Sequence, residues 1–138
     1  MEKDFELVNH TADVGIIAYG ADINQAFANA ARALFSLITE LDEIEEVLYR
    51  AIELTAPDQE SLLVDWLNEL IYLFDTENIV FCRFDITRLS NTKLEAVGYG
   101  EKVDSSKHRL KTGVKAATYH LLQVDQSNGC QVQVLFDI

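Results

Sequence analysis

Two apolar stripes at helical spacing, each opened by an aspartate, leave few architectures open to this chain. The first follows Asp22, a helix cap whose partner Gln25, three residues on, completes a capping-box pattern. Ala26, Phe27, Ala30, Ala31, Leu34, Leu37, Ile38 and Leu41 then recur on one face. So much alanine in the stripe predicts a helix lying close against a sheet. The second stripe follows Pro57-Asp58, with Asp58 as cap and Leu62, Leu63, Trp66, Leu67, Leu70, Ile71 and Phe74 on a wide apolar side. Asp65, Asn68, Glu69 and Asp75 mark its expected wet side.

The rest of the chain reads as strand and turn. Phe5–Asn9 and Val14–Tyr19 are apolar and bounded by polar residues and Gly20, and Asp42–Glu46 is an acidic turn before the alternating run Leu48–Thr55. Ile79–Leu89, Leu94–Gly100, Ala116–Val124 and Cys130–Phe136 also have β character. Turn chemistry at Asn91-Thr92 and Ser127-Asn128-Gly129 predicts antiparallel hairpins. The expected fold is α+β, a layered sandwich of mostly antiparallel β-sheet with two long helices. With 138 residues and no Pro/Gly/Ser linker, residues 1–138 are expected to form a single domain.

Charge narrows the function classes. The chain carries 23 acidic and 11 basic side chains, a formal charge of −12, and strong direct nucleic-acid binding is not expected of such a polyanion. The charge is also uneven, −14 over residues 1–77 and +2 over residues 78–138. Lys102, Lys107, Arg109, Lys111 and Lys115 form one basic island around His108. That island either docks an acidic partner, a nucleotide or RNA, or balances neighbouring acids as a solvated loop. Cys82 and Cys130, 48 residues apart in apolar runs, lack zinc or redox spacing and read as small buried hydrophobes. No signal-peptide core or membrane span is legible, so a reducing, cytoplasmic setting is expected.

Signatures of a self-sufficient enzyme are missing: no nucleophile elbow, no His-Glu-x-x-His, no Walker lysine loop, no Rossmann glycines. Gly98-Tyr99-Gly100 reads as a bulge or bend rather than a phosphate loop. Three places can still carry chemistry. His10-Thr11-Ala12-Asp13-Val14-Gly15 is a polar knot between strands, in which Asp13 either caps a turn or serves a site and His10 is a candidate structural histidine. At the other end, Val132, Val134 and Phe136 share one face, so Asp137 points the other way. The Asp137 side chain and the carboxylate of Ile138 would offer a hard cation two oxygen anions, unless they form an idle strand end. Lys115, at the entrance to a strand, is either an edge gatekeeper or a functional cation.

These pieces together resemble the archease family, small protein partners of the RtcB-type RNA ligase of tRNA splicing and repair. The resemblance rests on His10-Thr11-Ala12-Asp13-Val14-Gly15 with Ala18-Tyr19-Gly20, on Ala26-Phe27, Ala30-Ala31 and Leu34-Phe35, and on Leu62-Leu63-Val64-Asp65-Trp66-Leu67-Asn68-Glu69-Leu70. It continues through Val114-Lys115-Ala116-Ala117-Thr118-Tyr119-His120 to Phe136-Asp137-Ile138. It implies a non-catalytic protein cofactor that promotes guanylylation and multiple turnover of the ligase and broadens its nucleotide use. It also implies functional roles for Asp13, Lys115 and Asp137, and a metal site at Asp13, Asp137 and Ile138 for calcium or another divalent cation such as magnesium or manganese. Asn9 stands where family members commonly carry an acid and is left out of that site. The alternative is a chaperone or specificity module for a tRNA-modifying enzyme such as a tRNA methyltransferase. A stand-alone metal hydrolase is disfavoured by the lack of a paired His/carboxylate motif.

Overall fold

Both expected helices form, and each begins where its aspartate stands. In the computed structural model, which describes residues 3–9 and 13–138, α1 spans Ile23–Ile38 and α2 spans Gln59–Glu77. The Asp22 carboxylate accepts from the Gln25 backbone N–H at 2.8 Å, and the Gln25 side chain accepts from Ala21 N–H at 2.7 Å. Asp58 caps α2 through the Ser61 N–H at 2.7 Å. At the far end of α2, Asn78 adopts the left-handed conformation (φ 56°) and returns its N–H to Phe74, a common helix stop.

Seven strands complete the chain: β1 (Phe5–Asn9), β2 (Asp13–Gly20), β3 (Leu48–Thr55), β4 (Ile79–Leu89), β5 (Lys93–Lys102), β6 (Ala116–Asp125) and β7 (Cys130–Asp137). They pair as two antiparallel sheets, in the orders β1-β2-β7-β6 and β3-β5-β4. The acidic turn is a single 3-10 turn at Leu41–Glu43. No helix among the described residues is long and apolar enough to cross a membrane.

The helices lie between the sheets. α1 touches β1, β2 and β7 of one sheet and β4 of the other, while α2 touches β6 and all of β3, β4 and β5. This explains why α1 buries more than a stripe: Ala33 and Asn29 are inside along with the expected positions up to Ile38, whereas Leu41, expected on the same stripe, lies past the helix end in the 3-10 turn and is only half-buried. Phe35, Phe81, Phe84 and Trp66 form an aromatic cluster with ring centroids 5.6–6.1 Å apart, and Trp66 donates its indole N–H to the Phe27 carbonyl at 3.0 Å. Each sheet turns alternate side chains inward, Leu94 and Ala96 from β5 and Val132, Val134 and Phe136 from β7.

Two sequence readings are sharpened here. Gly98 and Gly100 sit opposite a bulge in β4 between Phe81 and Arg83, in agreement with the bend expected there. Asn68 and Glu69, expected on the wet side of α2, are half-buried instead: Asn68 bonds the β6 backbone at Ala117, and Glu69 lies within reach of Arg50 on β3. Burial pushes the Glu69 carboxyl up, against the pull of Arg50.

Candidate functional site

The candidate residues come from strands distant in sequence, and sheet register decides whether they meet. Asp13, the first residue of β2, stands directly opposite Asp137, the last of β7. One step along, Val14 faces Phe136, and both are buried against the helices. Directly opposed residues share a face, so Asp13 and Asp137 lie together on the outer face of the four-stranded sheet. The alternation read from Val132, Val134 and Phe136 is therefore correct, and the register adds the second carboxylate.

Lys115 joins the pair from the other side of β7. Ala116, the first residue of β6, is registered with Asp137, and the Lys115 backbone N–H donates to the Asp137 carbonyl at 2.8 Å. Its side chain is exposed, and no ion pair engages the ammonium among the described residues. Ile138 follows Asp137 and is 48% exposed. Asp13, Lys115, Asp137 and Ile138 thus converge on one end of three adjacent strands. His10 and Thr11, in the knot before Asp13, lie outside the described residues.

The basic island proves to be largely internal. Lys107 bonds Glu45 at 2.9 Å and Glu101 at 2.8 Å, Lys111 bonds Glu40 at 3.1 Å, and Lys102 donates to the Glu77 carbonyl at 2.8 Å. Residues 103–115 form a strap across the C-terminal end of α1. Lys111 and Thr112 give their backbone N–H groups to the Ile38 and Leu37 carbonyls at 2.8 and 3.2 Å, filling acceptors that a helix end leaves open. Thr39 ties the strap again, its hydroxyl donating to the Arg109 carbonyl at 2.8 Å. Of the two readings of the island, the loop that balances neighbouring acids is the one realised for these lysines.

His108 is the strap's anchor, with a side chain that is 0% exposed. Its Nδ1 accepts from the Asp104 N–H at 2.9 Å, so Nε2 carries the hydrogen, 3.0 Å from both the Glu43 carbonyl and Glu101 Oε2. Burial would raise the Glu101 carboxyl, yet Lys107, the Glu45 N–H and His108 together hold it below its ordinary value. The strap therefore delivers Lys115 to β6 from a fixed starting point.

Two further features at this end escaped the sequence reading. Leu135 is 2% exposed although it projects from the outer face of β7, and a Cβ at Gly15 opposite would come within 2.6 Å of Leu135 Cδ2. Asn68, from α2, accepts the Ala117 N–H at 2.8 Å and sets its amide nitrogen 3.5 Å from the Ala117 carbonyl. Helix propensity gave no signal for it, since Val64, Asp65, Trp66, Ile71 and Tyr72 of the same helix are equally weak helix formers.

The chemistry of the donor set suits a hard cation, since two carboxylates share one face at opposed positions. Among the described residues no group of three or more His, Cys, Asp or Glu side chains gathers, at this end or elsewhere, so the two carboxylates are only part of a cation's shell.

Comparison with known proteins matches residues 5–138 to the archease protein family. The archease of Methanosarcina mazei is 38% identical over 141 aligned positions, covering 99% of this chain and 97% of that protein. The archease of Pyrococcus abyssi is 40% identical over 128, covering 90% and 89%. A solution structure of a Methanobacterium thermoautotrophicum protein superposes with a TM-score of 0.84 at 34% identity, over 98% of this chain and 99% of that one. A Thermotoga maritima crystal structure, described as an archease and possible chaperone, gives 0.60 at 22% identity over 100% and 98%, a likeness of fold.

Proposed function

The chain belongs to the archease family, and from that premise we propose that it is a non-catalytic cofactor of an RtcB-type RNA ligase, promoting guanylylation and multiple turnover. What supports this reading is the register that sets Asp13 opposite Asp137 and bonds the Lys115 N–H to the Asp137 carbonyl. Asp13, Asp137 and Ile138 would hold a divalent cation, calcium by preference, with magnesium or manganese as substitutes. Such a cation supplies positive charge against phosphate oxygens.

The chain's own residues would act by position and charge. A carboxylate pair on a rigid sheet end keeps its oxygens in place as it enters a partner, so little ordering is needed at the moment of contact. Lys107 and Lys111 are held by internal acids, whereas the Lys115 ammonium remains available to a partner's oxygen anion. A lysine aimed at the phosphates of a nucleotide would help load GMP and, being indifferent to the base, would admit more than one nucleotide. No covalent step falls to this chain.

The decisive assay measures GMP loading and ligation by the ligase under excess RNA, with and without this protein. The wild-type chain is expected to accelerate both, and Asp13→Ala and Asp137→Ala to lose at least about tenfold of that acceleration while staying folded. Full acceleration by a folded Asp137→Ala would reject the site. If the wild-type chain leaves GMP loading unchanged, the ligase reading fails and a chaperone or specificity role toward a tRNA-modifying enzyme replaces it.

A further inference from the structure

β6 is held at the site by very little backbone pairing. It is an edge strand with β7 on one side only. Its register with β7 covers Ala116, Ala117 and Thr118 and resumes only at Gln123, opposite Gln133. Between them β6 advances five residues while β7 moves back two, so the strand bulges out through Tyr119–Leu122. Leu121 takes a left-handed conformation (φ 55°) in that bulge, a costly one for a branched side chain. The three-residue segment that follows Lys115 therefore lies between a loop and a distorted strand.

On its open side, the place of a further strand is taken by one side chain. The Ala117 N–H donates to Asn68 Oδ1 at 2.8 Å, and Asn68 Nδ2 lies 3.5 Å from the Ala117 carbonyl. A carboxamide carries the acceptor and donor that a neighbouring strand would present, and this one stands on a helix anchored by buried Leu67, Leu70 and Trp66. Burying an edge N–H without such a partner would cost about 1–3 kcal/mol.

We propose that Asn68 is a positioning residue for Lys115, its carboxamide completing the open edge of β6 at Ala117 and so fixing the lysine beside Asp137. This rests on the proposed role of the Lys115 and carboxylate end, and it adds a residue from a different element that touches neither metal nor partner. Asn68→Asp keeps the acceptor for the Ala117 N–H, whereas Asn68→Leu fills similar volume and keeps neither group.

The test has two arms. In the protein alone, amide hydrogen exchange at Ala117 is expected to quicken about tenfold in Asn68→Leu and to stay within about threefold of wild type in Asn68→Asp. In the ligase assay, Asn68→Leu is expected to lower the maximal rate of GMP loading about tenfold with half-saturating concentration unchanged, and Asn68→Asp to restore most of it. A general loss of fold would instead shift both parameters and would not be rescued by aspartate. Should Asn68→Leu not fold, Asn68→Ser replaces it, its hydroxyl being too short to reach Ala117. A folded Asn68→Leu that stimulates at the wild-type rate while Asp137→Ala is inactive overturns the Asn68 role alone. If Asp137→Ala is also fully active, the site reading fails and this inference fails with it.

Discussion

At the level of single residues, backbone proximity sets the tightest constraints. A Cβ on Gly100 would stand 1.9 Å from the Val80 carbonyl oxygen and 2.8 Å from Phe81 Cα. Both are backbone atoms of a paired strand, which cannot rotate aside as a side chain can. Gly100→Ala is therefore expected to destabilise the protein by about 2 kcal/mol or more, read as a lowered urea midpoint. An unchanged midpoint would mean that β4 and β5 are less closely apposed than described. Nothing local in Gly98-Tyr99-Gly100 distinguished this use of glycine from any other bend, because the crowding comes from a bulge in another strand. Asp137 differs: simple alternation along β7 placed it opposite in sense to Phe136, and that much was legible. Its partnership with Asp13 came only from the family resemblance and not from the residue pattern, since two ends of a chain meet only through register.

Among elements, the strap of residues 103–115 shows what charge counting misses. Five basic residues around a histidine resemble a docking surface until Lys107 and Lys111 are seen paired with Glu40 and Glu45, on either side of the 3-10 turn, and with Glu101 of β5. The strap's hydrogen bonds to Leu37, Ile38 and Thr39 run between the end of α1 and a segment about 70 residues later, a separation that no sequence spacing encodes. Removing its anchor should release it. His108→Ala would remove a buried ring and leave the Asp104 N–H and the Glu101 carboxylate short of a partner, with an expected loss of about 2 kcal/mol. Trypsin should then cut at Lys107, Arg109 and Lys111 under conditions where the wild-type strap resists, and equal cleavage of both proteins would remove the anchoring role.

In the whole molecule, the acidity has a pH signature. Hydrogen bonds from Tyr19 and Lys3 hold the Glu6 carboxyl low, Arg50 does the same for Glu77 through a pair of bonds at 2.7 and 2.8 Å, and backbone and side-chain bonds from Ser61, Ser106 and Ser127 lower Asp58, Asp104 and Asp125. Each of these binds its proton less readily when folded than when unfolded. Their stabilisation is thus complete above about pH 4.5 and is lost as pH falls through the depressed native values. Glu69, raised by burial, works in the opposite sense but alone. The melting temperature is expected to fall steeply between about pH 4.5 and 3, and a flat or rising profile would contradict this assignment. Hydropathy and turn residues alone determined the two capped helices, the seven strands and the α+β class, because local periodicity and capping act within a few residues. Only the tertiary structure decided that both helices would lie between two sheets, that Asp13 would face Asp137, and that Asn68 would close the edge beside Lys115. Those outcomes depend on strand order and register, which arise from burying all the apolar faces at once and are written in no single segment.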